Sequence, residues 1–378
     1  MEQNIVNKQI HLVILGQDAS ILDESSESAY RTSVYAESFA GISVYIFAKK
    51  IPKKVSTYKN VFVFGFSTLA QSLLAFIQIY KDIQLLKKKG VDVLVSTQDA
   101  FEIGLIGLII SRLSGLLLHV QVHADISSKY MQHESVRAYI QYHLSRFVLR
   151  RADKIRVVSR RIELFCIQKL RISKEKIDLV PMLYKRGVKK TEYVFGTLPQ
   201  IIIIPARFIW VKRIPIALEA FSIALKENKN MRLRIIGAGP LKIQIEGLIH
   251  KYDVSKYVEI ISWMNAEELY QDAALTLISS VYEGWCRVAT ESIEAGVPVV
   301  MTDVGCAHDF VIDSKHGIIV PIENPQAIAN AMVQLLGNAN KYAEARDFCL
   351  QTSDTIDSFA HYQSKVVLSW ISTVSQTK

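Results

Sequence analysis

The stretch LTLISSVYEGWCRVATESIEAGVPVV, residues 275–300, joins an apolar strand at 275–278 to a helix that ends at Gly296-Val297-Pro298. Glu283 and Glu291 lie eight positions apart across this junction. Strand-to-helix junctions in α/β sheets bind anionic ligands, because free helix N–H groups and the helix dipole attract phosphate. Taken alone, the two glutamates fit a solvated pair as well as a site for a polyhydroxylated ligand with a diphosphate.

Apolar runs recur at intervals on both sides of this junction. In the second half of the chain they lie at 201–205, 232–236, 258–261, 275–279, 297–302 and 317–320, and helical stretches such as 214–227 and 325–336 separate them. Strands that alternate with helices predict a parallel sheet covered on both faces. We therefore predict one doubly wound α/β domain over residues 200–350.

The first half repeats this alternation. Its predicted strands cover 10–15, 61–64, 91–95 and 116–122, and its predicted helices cover 68–88, 101–114 and 133–150. These elements predict a second Rossmann-like domain over residues 1–190. Polar residues with Gly187, Gly196 and Pro199 make 184–199 the predicted linker, and residues 354–375 are predicted to form a final helix.

Length and composition bound the class of protein. A chain of 378 residues is too long for one ordinary core, which favours two domains. No apolar signal core precedes Asp18, and the most apolar run, 103–111, is too short to cross a bilayer. The four cysteines form no C-x-x-C pair and show no metal-ligand spacing, which is typical of reduced thiols in the cytosol. We expect a cytoplasmic protein.

Positive charge is concentrated in one region. The net charge is +9, and residues 129–190 contain 17 Lys and Arg against 5 Asp and Glu, with the densest group at Arg146, Arg150, Arg151 and Lys154. Such an excess favours a polyanionic partner, although a merely solvated basic face stays open. No nucleic-acid-binding module is visible. We therefore expect this region to bind an anionic membrane surface, which would place the protein peripherally on the inner face of the plasma membrane.

Three further motifs accompany the junction in chain order. In the first motif, Pro205-Ala206-Arg207 is followed five positions after the arginine by Lys212. In the second, LRIIGAGP at residues 233–240, a predicted strand ends in a G-x-G-P turn that starts at Gly237. The third is EAGVPVV at residues 294–300. Together, over about residues 200–320, these motifs resemble the retaining glycosyltransferases of the GT-B fold, the large "group 1" family with its E-x7-E signature. The resemblance implies two facing Rossmann-like domains, with a C-terminal helix within 354–378 that returns to the first domain.

The resemblance also implies the chemistry. Such enzymes transfer a sugar from a UDP- or GDP-linked donor, a co-substrate rather than a bound cofactor, and the departing diphosphate needs positive charge. The D-x-D triplet that holds a metal ion in the other common glycosyltransferase fold occurs nowhere in the chain. Arg207 and Lys212 follow the predicted strand at 201–204, where α/β sheets bind ligands, and suit the role of the metal. We predict no metal site.

The family's donor contacts fall on the central junction. By this resemblance Glu283 contacts hydroxyls of the donor sugar and Glu291 contacts the ribose. Backbone N–H groups at the helix start would add to diphosphate binding. The donor-binding candidates there are Gly284, Cys286, Arg287 and Val288. The family usually has a second Gly where Cys286 stands and a Gly where Arg213 stands; Arg213 is an alternative phosphate contact.

Two candidates lie in the first domain. His123 ends the run LLLHVQVH, where the family has a histidine close to the donor sugar and the reaction centre. Gly16 follows the first predicted strand, at the place of the Gly-Gly found in many relatives. Tyr30 and Arg31, which come shortly after it, are expected to shape the acceptor pocket.

These expectations combine into one function with two alternatives. We expect a metal-independent, retaining glycosyltransferase that extends a glycan acceptor, on a lipid carrier, for a surface polysaccharide. The first alternative is a soluble transferase with a small-molecule acceptor and a solvated basic face. The second is a GT-B-like protein that binds a nucleotide sugar without turnover.

Overall fold

The structure, a computed structural model, describes residues 7–51, 55–265 and 268–375. The chain forms two compact units: Met1–Pro181 together with Ala360–Lys378, and Met182–Phe359. Each unit is built on one mainly parallel sheet with flanking helices. The predicted fold class, two Rossmann-like α/β domains, is confirmed.

The first unit contains an eight-stranded sheet. Its strands are β1 (Asn7–Gly16), β2 (Phe39–Phe47), β3 (Val55–Tyr58), β4 (Val61–Phe66), β5 (Asp92–Thr97), β6 (Leu118–Val122), β7 (Lys154–Val157) and β8 (Ile177–Leu179). The order across the sheet is β3-β4-β2-β1-β5-β6-β7-β8, and only the pairing of β3 with β4 is antiparallel. Because β1 and β5 lie inside the sheet with both faces covered, their central residues, 12–15 and 93–95, are all apolar and buried.

Helices connect these strands. They are α1 (Glu27–Ala36), α2 (Leu69–Lys88), α3 (Glu102–Ser114), α4 (Lys129–His133), α5 (Val136–Leu149) and α6 (Arg160–Gln168). Hydroxyl side chains start several of them: Ser26 caps α1, Thr68 caps α2 and Ser135 caps α5. The connections after β4, β5 and β6 all run in the same direction across the sheet. Right-handed crossovers therefore place α2, α3 and α5 on one face.

The second unit contains a six-stranded parallel sheet. Its strands are β9 (Gln200–Pro205), β10 (Met231–Ile236), β11 (Val258–Ile261), β12 (Leu275–Ile278), β13 (Val299–Thr302) and β14 (Gly317–Val320). Its helices are α7 (Ile214–Glu227), α8 (Lys242–Lys251), α9 (Arg287–Glu294), α10 (Pro325–Leu336) and α11 (Ala339–Thr355). The order β11-β10-β9-β12-β13-β14 is that of the Rossmann fold.

All six strands of the second sheet lie within two residues of the runs that the sequence predicts, and α7 and α10 have the predicted bounds. The first sheet was predicted less completely, because β2, β3, β7 and β8 were not identified. Residues 182–199, which include the predicted linker, contain no helix or strand. They belong to the second unit, where the Thr191 N–H donates to Ala295 O at 2.8 Å.

The last helix, α12 (Phe359–Ser375), packs on the first unit. Trp370 is buried between Tyr35 and Phe39, and its indole N–H donates to Ser96 Oγ at 3.0 Å. Among the described residues, no helix combines the length and apolar character that a bilayer span needs.

Candidate active site

The order of the second sheet reverses between β9 and β12. After β9 the chain continues to β10, towards one edge of the sheet, and after β12 it continues to β13, towards the opposite edge. This reversal opens a crevice at the carboxyl ends of the two strands, which is where doubly wound sheets bind ligands. Lys212 lies on the loop after β9, and Glu283 lies on the loop after β12.

The structure brings these two predicted residues into contact. Lys212 Nζ lies 2.5 Å from Glu283 Oε1, and Ser280 Oγ donates to the same oxygen at 2.7 Å. A side chain also joins the two loops, since Ser279 Oγ donates to the backbone Lys212 O at 2.8 Å. Both charged groups line a small cavity, together with Cys286 and Val288 at the start of α9. The site thus pairs a cation with a carboxylate next to a helix N-terminus.

Arg207 lies on the same loop as Lys212 but differs from it in its surroundings. Its side chain is exposed, and in the described part of the chain it makes no hydrogen bond or ion pair. The structure therefore leaves the guanidinium accessible to an anion, and it shows no contact between Arg207 and the Lys212–Glu283 pair.

The glycines of the G-x-G-P turn pack against this loop. Gly237 has a φ of 145°, and a Cβ atom there would lie 2.0 Å from Ala206 O. The Phe208 N–H donates to Ala238 O at 2.8 Å, so the two segments lie edge to edge. Gly237 therefore fixes the position of the loop that carries Arg207, because any side chain there would push the loop away.

Both positions where the family usually has a Gly adopt left-handed backbone conformations. Cys286 has a φ of 78° and Arg213 has a φ of 48°. An L-residue in this region carries strain of about 1 kcal/mol or more. The Arg213 guanidinium lies 2.6 Å from Glu323 Oε1 and stacks 3.9 Å from the Trp210 ring. The structure thus engages Arg213 with protein partners rather than leaving it open to phosphate.

Glu291 is buried on α9 among three partners. Its Oε1 lies 3.4 Å from Arg287 Nη2 and 3.6 Å from Arg186 Nε, and its Oε2 accepts a hydrogen bond from Tyr270 Oη at 3.3 Å. Burial raises the pKa of Glu291, and the two guanidinium groups oppose that rise. Glu291 is not among the residues that line the cavity beside Lys212 and Glu283.

Sequence reasoning missed two of the three partners of Glu291, Arg186 and Tyr270. Arg186 belongs to a segment without regular structure, and Tyr270 precedes β12 in the sequence. The backbone N–H groups of Arg186 and Gly187 donate to the Glu294 carboxylate at 2.8–3.0 Å, which fastens that segment to α9. Only the presence of Glu294 one turn after Glu291 was visible in the sequence, and it gave no indication of its partner.

The two candidates of the first unit lie at the carboxyl edge of its sheet. His123 directly follows β6 and is half-buried. Burial lowers the pKa of His123 to about 3, and the positive charges of Arg156 and Arg31 add to this effect, so the imidazole is neutral at pH 7. Gly16 ends β1, and a Cβ atom there would lie 2.0 Å from Gln98 Oε1.

The basic region 129–190 is not one surface. Lys154 and Arg156 are buried in β7, where Lys154 Nζ lies 3.1 Å from Asp178 Oδ1 and Arg156 donates to Gln121 Oε1 at 2.6 Å. The inclusion of Lys154 in an exposed basic group was therefore wrong, since a parallel strand inside the sheet buries both of its faces.

Within the described residues, no three His, Cys, Asp or Glu side chains are grouped to hold a metal ion.

Comparison with known proteins agrees with this geometry. Residues 188–348 match the family model described as glycosyl transferases group 1. The poly(ribitol-phosphate) alpha-N-acetylglucosaminyltransferase of Staphylococcus aureus is 25% identical over 135 residues, which are 35% of this chain and 27% of that protein. The matches with the first curated relatives cover only 20% to 30% of the relatives' own length.

Two solved structures resemble the chain over nearly all of its length. The sucrose-phosphate synthase of Thermosynechococcus elongatus has a TM-score of 0.76 at 16% identity, with 97% of this chain and 100% of that chain covered. The Anabaena protein Alr3699/HepE, solved in complex with UDP-glucose, has a TM-score of 0.74 at 14% identity, with 96% and 99% covered. Residues 188–348 are thus similar to the glycosyl transferases group 1 family, and the two Rossmann-like units have the GT-B fold of these solved structures.

Proposed function

We propose that the protein transfers a sugar from a nucleotide diphosphate sugar to a glycan acceptor, with retention of anomeric configuration and without a metal ion. The observation that carries this proposal is the Lys212–Glu283 pair, 2.5 Å apart where the order of the second sheet reverses. One structural neighbour was solved with UDP-glucose bound. A UDP- or GDP-linked sugar is the co-substrate in this proposal, and no cofactor is needed.

In this proposal the donor diphosphate is held by cations and by a helix start. Lys212 supplies a point charge and Arg207 an exposed guanidinium that can contact two phosphate oxygens. The N–H groups of Arg287 and Val288, in the first turn of α9, favour a phosphate at the same place. Together these groups stabilise the charge that develops on the leaving diphosphate.

The carboxylates take the hydroxyl groups of the donor. Glu283 accepts hydrogen bonds from the sugar while it remains close to the Lys212 ammonium, which has three N–H donors and can serve carboxylate and phosphate together. Glu291 accepts from the ribose hydroxyls, and Arg186 and Arg287 help to keep it ionised despite its burial. His123 stays our candidate for a neutral hydrogen-bonding group at the reacting sugar, and Gly16 for a backbone contact.

Retention follows from attack on the face that the leaving group vacates. The bond between C1 of the sugar and the phosphate oxygen breaks, and a bond between C1 and the acceptor oxygen forms. The acceptor proton moves to the β-phosphate of the leaving group, so the protein needs no dedicated base. This scheme rests on the family resemblance.

The acceptor that we propose is a glycan on a lipid carrier, at an anionic membrane surface on the cytoplasmic side. The basic residues in 129–190 that are exposed, such as Arg150 and Arg151, support this choice. A relative in Staphylococcus aureus acts, by its name, on poly(ribitol-phosphate). Transfer to a soluble small-molecule acceptor, or binding of the donor without turnover, remain the alternatives to be tested.

A screen of nucleotides by thermal shift tests the proposal. A ligand at a hundredfold excess over its dissociation constant stabilises the folded state by about 2.7 kcal/mol. We expect UDP or GDP and one of their sugars to raise the melting temperature, and AMP and NAD to leave it unchanged. The Lys212→Ala variant should lose most of this shift. A screen in which no nucleotide diphosphate or nucleotide sugar stabilises the protein would contradict the proposal.

A further inference from the structure

Three neighbouring helices of the first unit carry large apolar side chains on their outer surfaces. α3 packs beside both α2 and α5, as their positions on one face of the sheet require. Leu74 on α2 is 62% exposed, Leu113 on α3 is 61% exposed and Ile140 on α5 is 59% exposed. We call the outward surface of these three helices the α2–α3–α5 face.

The exposed residues follow helical spacing. Leu74, Ile77 and Leu85 lie on one side of α2, and Ile109 and Leu113 lie on one side of α3. Each helix therefore has two apolar stripes: one is buried against the sheet, and the other is exposed on the outer surface. A group of apolar side chains on adjacent helices marks an interaction surface, whereas single exposed residues do not.

Positive charge accompanies this apolar surface. α2, α3 and α5 contain six Lys or Arg against two Asp or Glu, and α5 contains no acid. Both acidic side chains have partners within the first unit. Asp82 accepts a hydrogen bond from Tyr45 Oη at 2.6 Å, and Glu102 lies 3.1 Å from Arg137. The face is thus apolar and cationic, a combination that complements an anionic partner with an apolar interior.

We propose that the α2–α3–α5 face docks on a bilayer that contains anionic lipids, with its apolar side chains in the headgroup region. Apolar helix stripes flanked by Lys and Arg bind such surfaces through burial of the apolar side chains and through attraction of the cations to anionic headgroups. A second copy of the chain is a poorer occupant, because a two-fold symmetric contact would set the same positive face against itself. This inference rests on the proposed lipid-linked acceptor, since docking would hold the protein where that acceptor is anchored.

Co-sedimentation of the full chain with vesicles measures docking. We expect binding to vesicles of phosphatidylcholine mixed with phosphatidylglycerol, and weaker binding to phosphatidylcholine alone or at high salt. The double variant Leu113→Ser, Ile140→Ser should weaken binding to the mixed vesicles by on the order of tenfold or more. The matched control is Ile243→Ser, at an 83% exposed position on α8 of the second unit, and it should bind like the wild type.

Two outcomes of this experiment overturn the inference. One is a wild type that does not bind the mixed vesicles, and the other is a double variant that binds them as tightly as the wild type. Sedimentation velocity without vesicles tests whether a second copy of the chain binds to this face instead. A dimer that the wild type forms and the double variant does not form would assign the face to a second copy and would likewise overturn the proposal.

A fluorescent label tests insertion at the same positions. The four native cysteines are buried, so a single introduced thiol can be labelled. An environment-sensitive dye on Leu113→Cys should shift to shorter wavelength with mixed vesicles, and the same dye on Ile243→Cys should not. An unshifted spectrum at position 113 contradicts insertion of the face.

Nucleotide binding by the same variants separates this inference from the proposed function. The double variant should keep wild-type affinity for the nucleotide, since its changes lie in the first unit, whereas Lys212 and Glu283 belong to the second. If vesicles bind but no nucleotide does, the proposed function fails while docking stands. If a nucleotide binds and vesicles do not, docking fails while the proposed donor site stands.

Discussion

Lys212 and Glu283 neutralise each other across 2.5 Å before any ligand is bound. A diphosphate that enters the crevice competes with Glu283 for the ammonium group, so the pair holds the cation in place without leaving an uncompensated charge. The exposed Arg207 has no such partner in the described residues and would contribute its whole charge to the ligand. Substitutions at these residues therefore test the electrostatic part of the proposal.

Removal of either cation should slow transfer. We expect Lys212→Ala and Arg207→Ala each to lower kcat by roughly 10²-fold or more, as loss of a preorganised charge-stabilising group does elsewhere. Arg213→Gly is the matched control, because Gly suits its φ of 48° and its guanidinium pairs with Glu323. The measurement is turnover at saturating donor. A control that loses as much activity as Lys212→Ala would show that Arg213 also contacts the donor.

The Glu291 carboxyl predicts a pH dependence of nucleotide binding. Burial raises its pKa, and in the proposed donor site the ionised form is the one that would accept hydrogen bonds from the ribose hydroxyls. Affinity should therefore fall as the pH falls through this raised pKa. Removing a nearby positive charge by Arg186→Gln raises the pKa further, so the fall should begin at a higher pH. Calorimetric titrations between pH 5 and 8 test this, with Glu291→Gln as the variant that should lose the dependence.

At the residue scale, the motifs select Lys212 and Glu283, and the role assigned to each stays a prediction. Lys212 and Glu283 were chosen from the sequence, 71 positions apart, and the fold brings them into contact. Arg186 was not identifiable as a partner of Glu291, because the contact depends on a path of irregular backbone. Lys154 was placed on the surface, because the sequence does not show that Asp178 on β8 would pair with it inside the sheet.

At the scale of elements, α9 begins at a strained residue. Cys286 precedes the helix with a φ of 78° and has no side-chain hydrogen bond that caps it. Because Gly adopts this conformation without the penalty of a Cβ atom, Cys286→Gly should be more stable than Cys286→Ala by about 1 kcal/mol. The two variants lose the same thiol, so the comparison isolates the backbone. Equal free energies of unfolding in a denaturant titration would show that the helix start is not strained.

Periodicity predicted most elements of the second sheet and fewer of the first. Strands such as β9 and β12 are short apolar runs between clearly amphipathic helices, and this pattern predicts buried strands. β2 lies in a stretch rich in aromatic and small residues, where a short apolar run gives no periodic signal that separates strand from helix. β7 was hidden for a different reason, since two of its four residues are charged.

At the scale of the whole molecule, α12 belongs with the first unit although it ends the chain. Trp370 is its main anchor, buried between aromatic rings and bonded to Ser96. We expect Trp370→Ala to lower the free energy of unfolding by about 3–5 kcal/mol, as truncation of a buried Trp does. Leu368→Ala, at a largely exposed position of the same helix, should change it by less than about 0.5 kcal/mol. Chemical denaturation of both variants provides the comparison.

The architecture of both units was predictable, because alternating strands and helices leave few ways to form a parallel sheet. A function can be proposed only through motifs that resemble a family, since two glutamates and two cations by themselves fit many ligands. The identity of the acceptor depends on surface shape and on exposed side chains such as those of the α2–α3–α5 face, which no motif encodes.

The central claim is that a nucleotide sugar reacts at the Lys212–Glu283 site with retention and without a metal. The most direct test follows a panel of UDP- and GDP-sugars by proton NMR in EDTA, with added glycan acceptors and with water as the default acceptor. We predict that one donor releases its nucleotide diphosphate, that the new anomeric signal first appears with the donor's configuration, and that Lys212→Ala abolishes both. Failure to turn over any donor, or an inverted anomeric signal, would contradict the account.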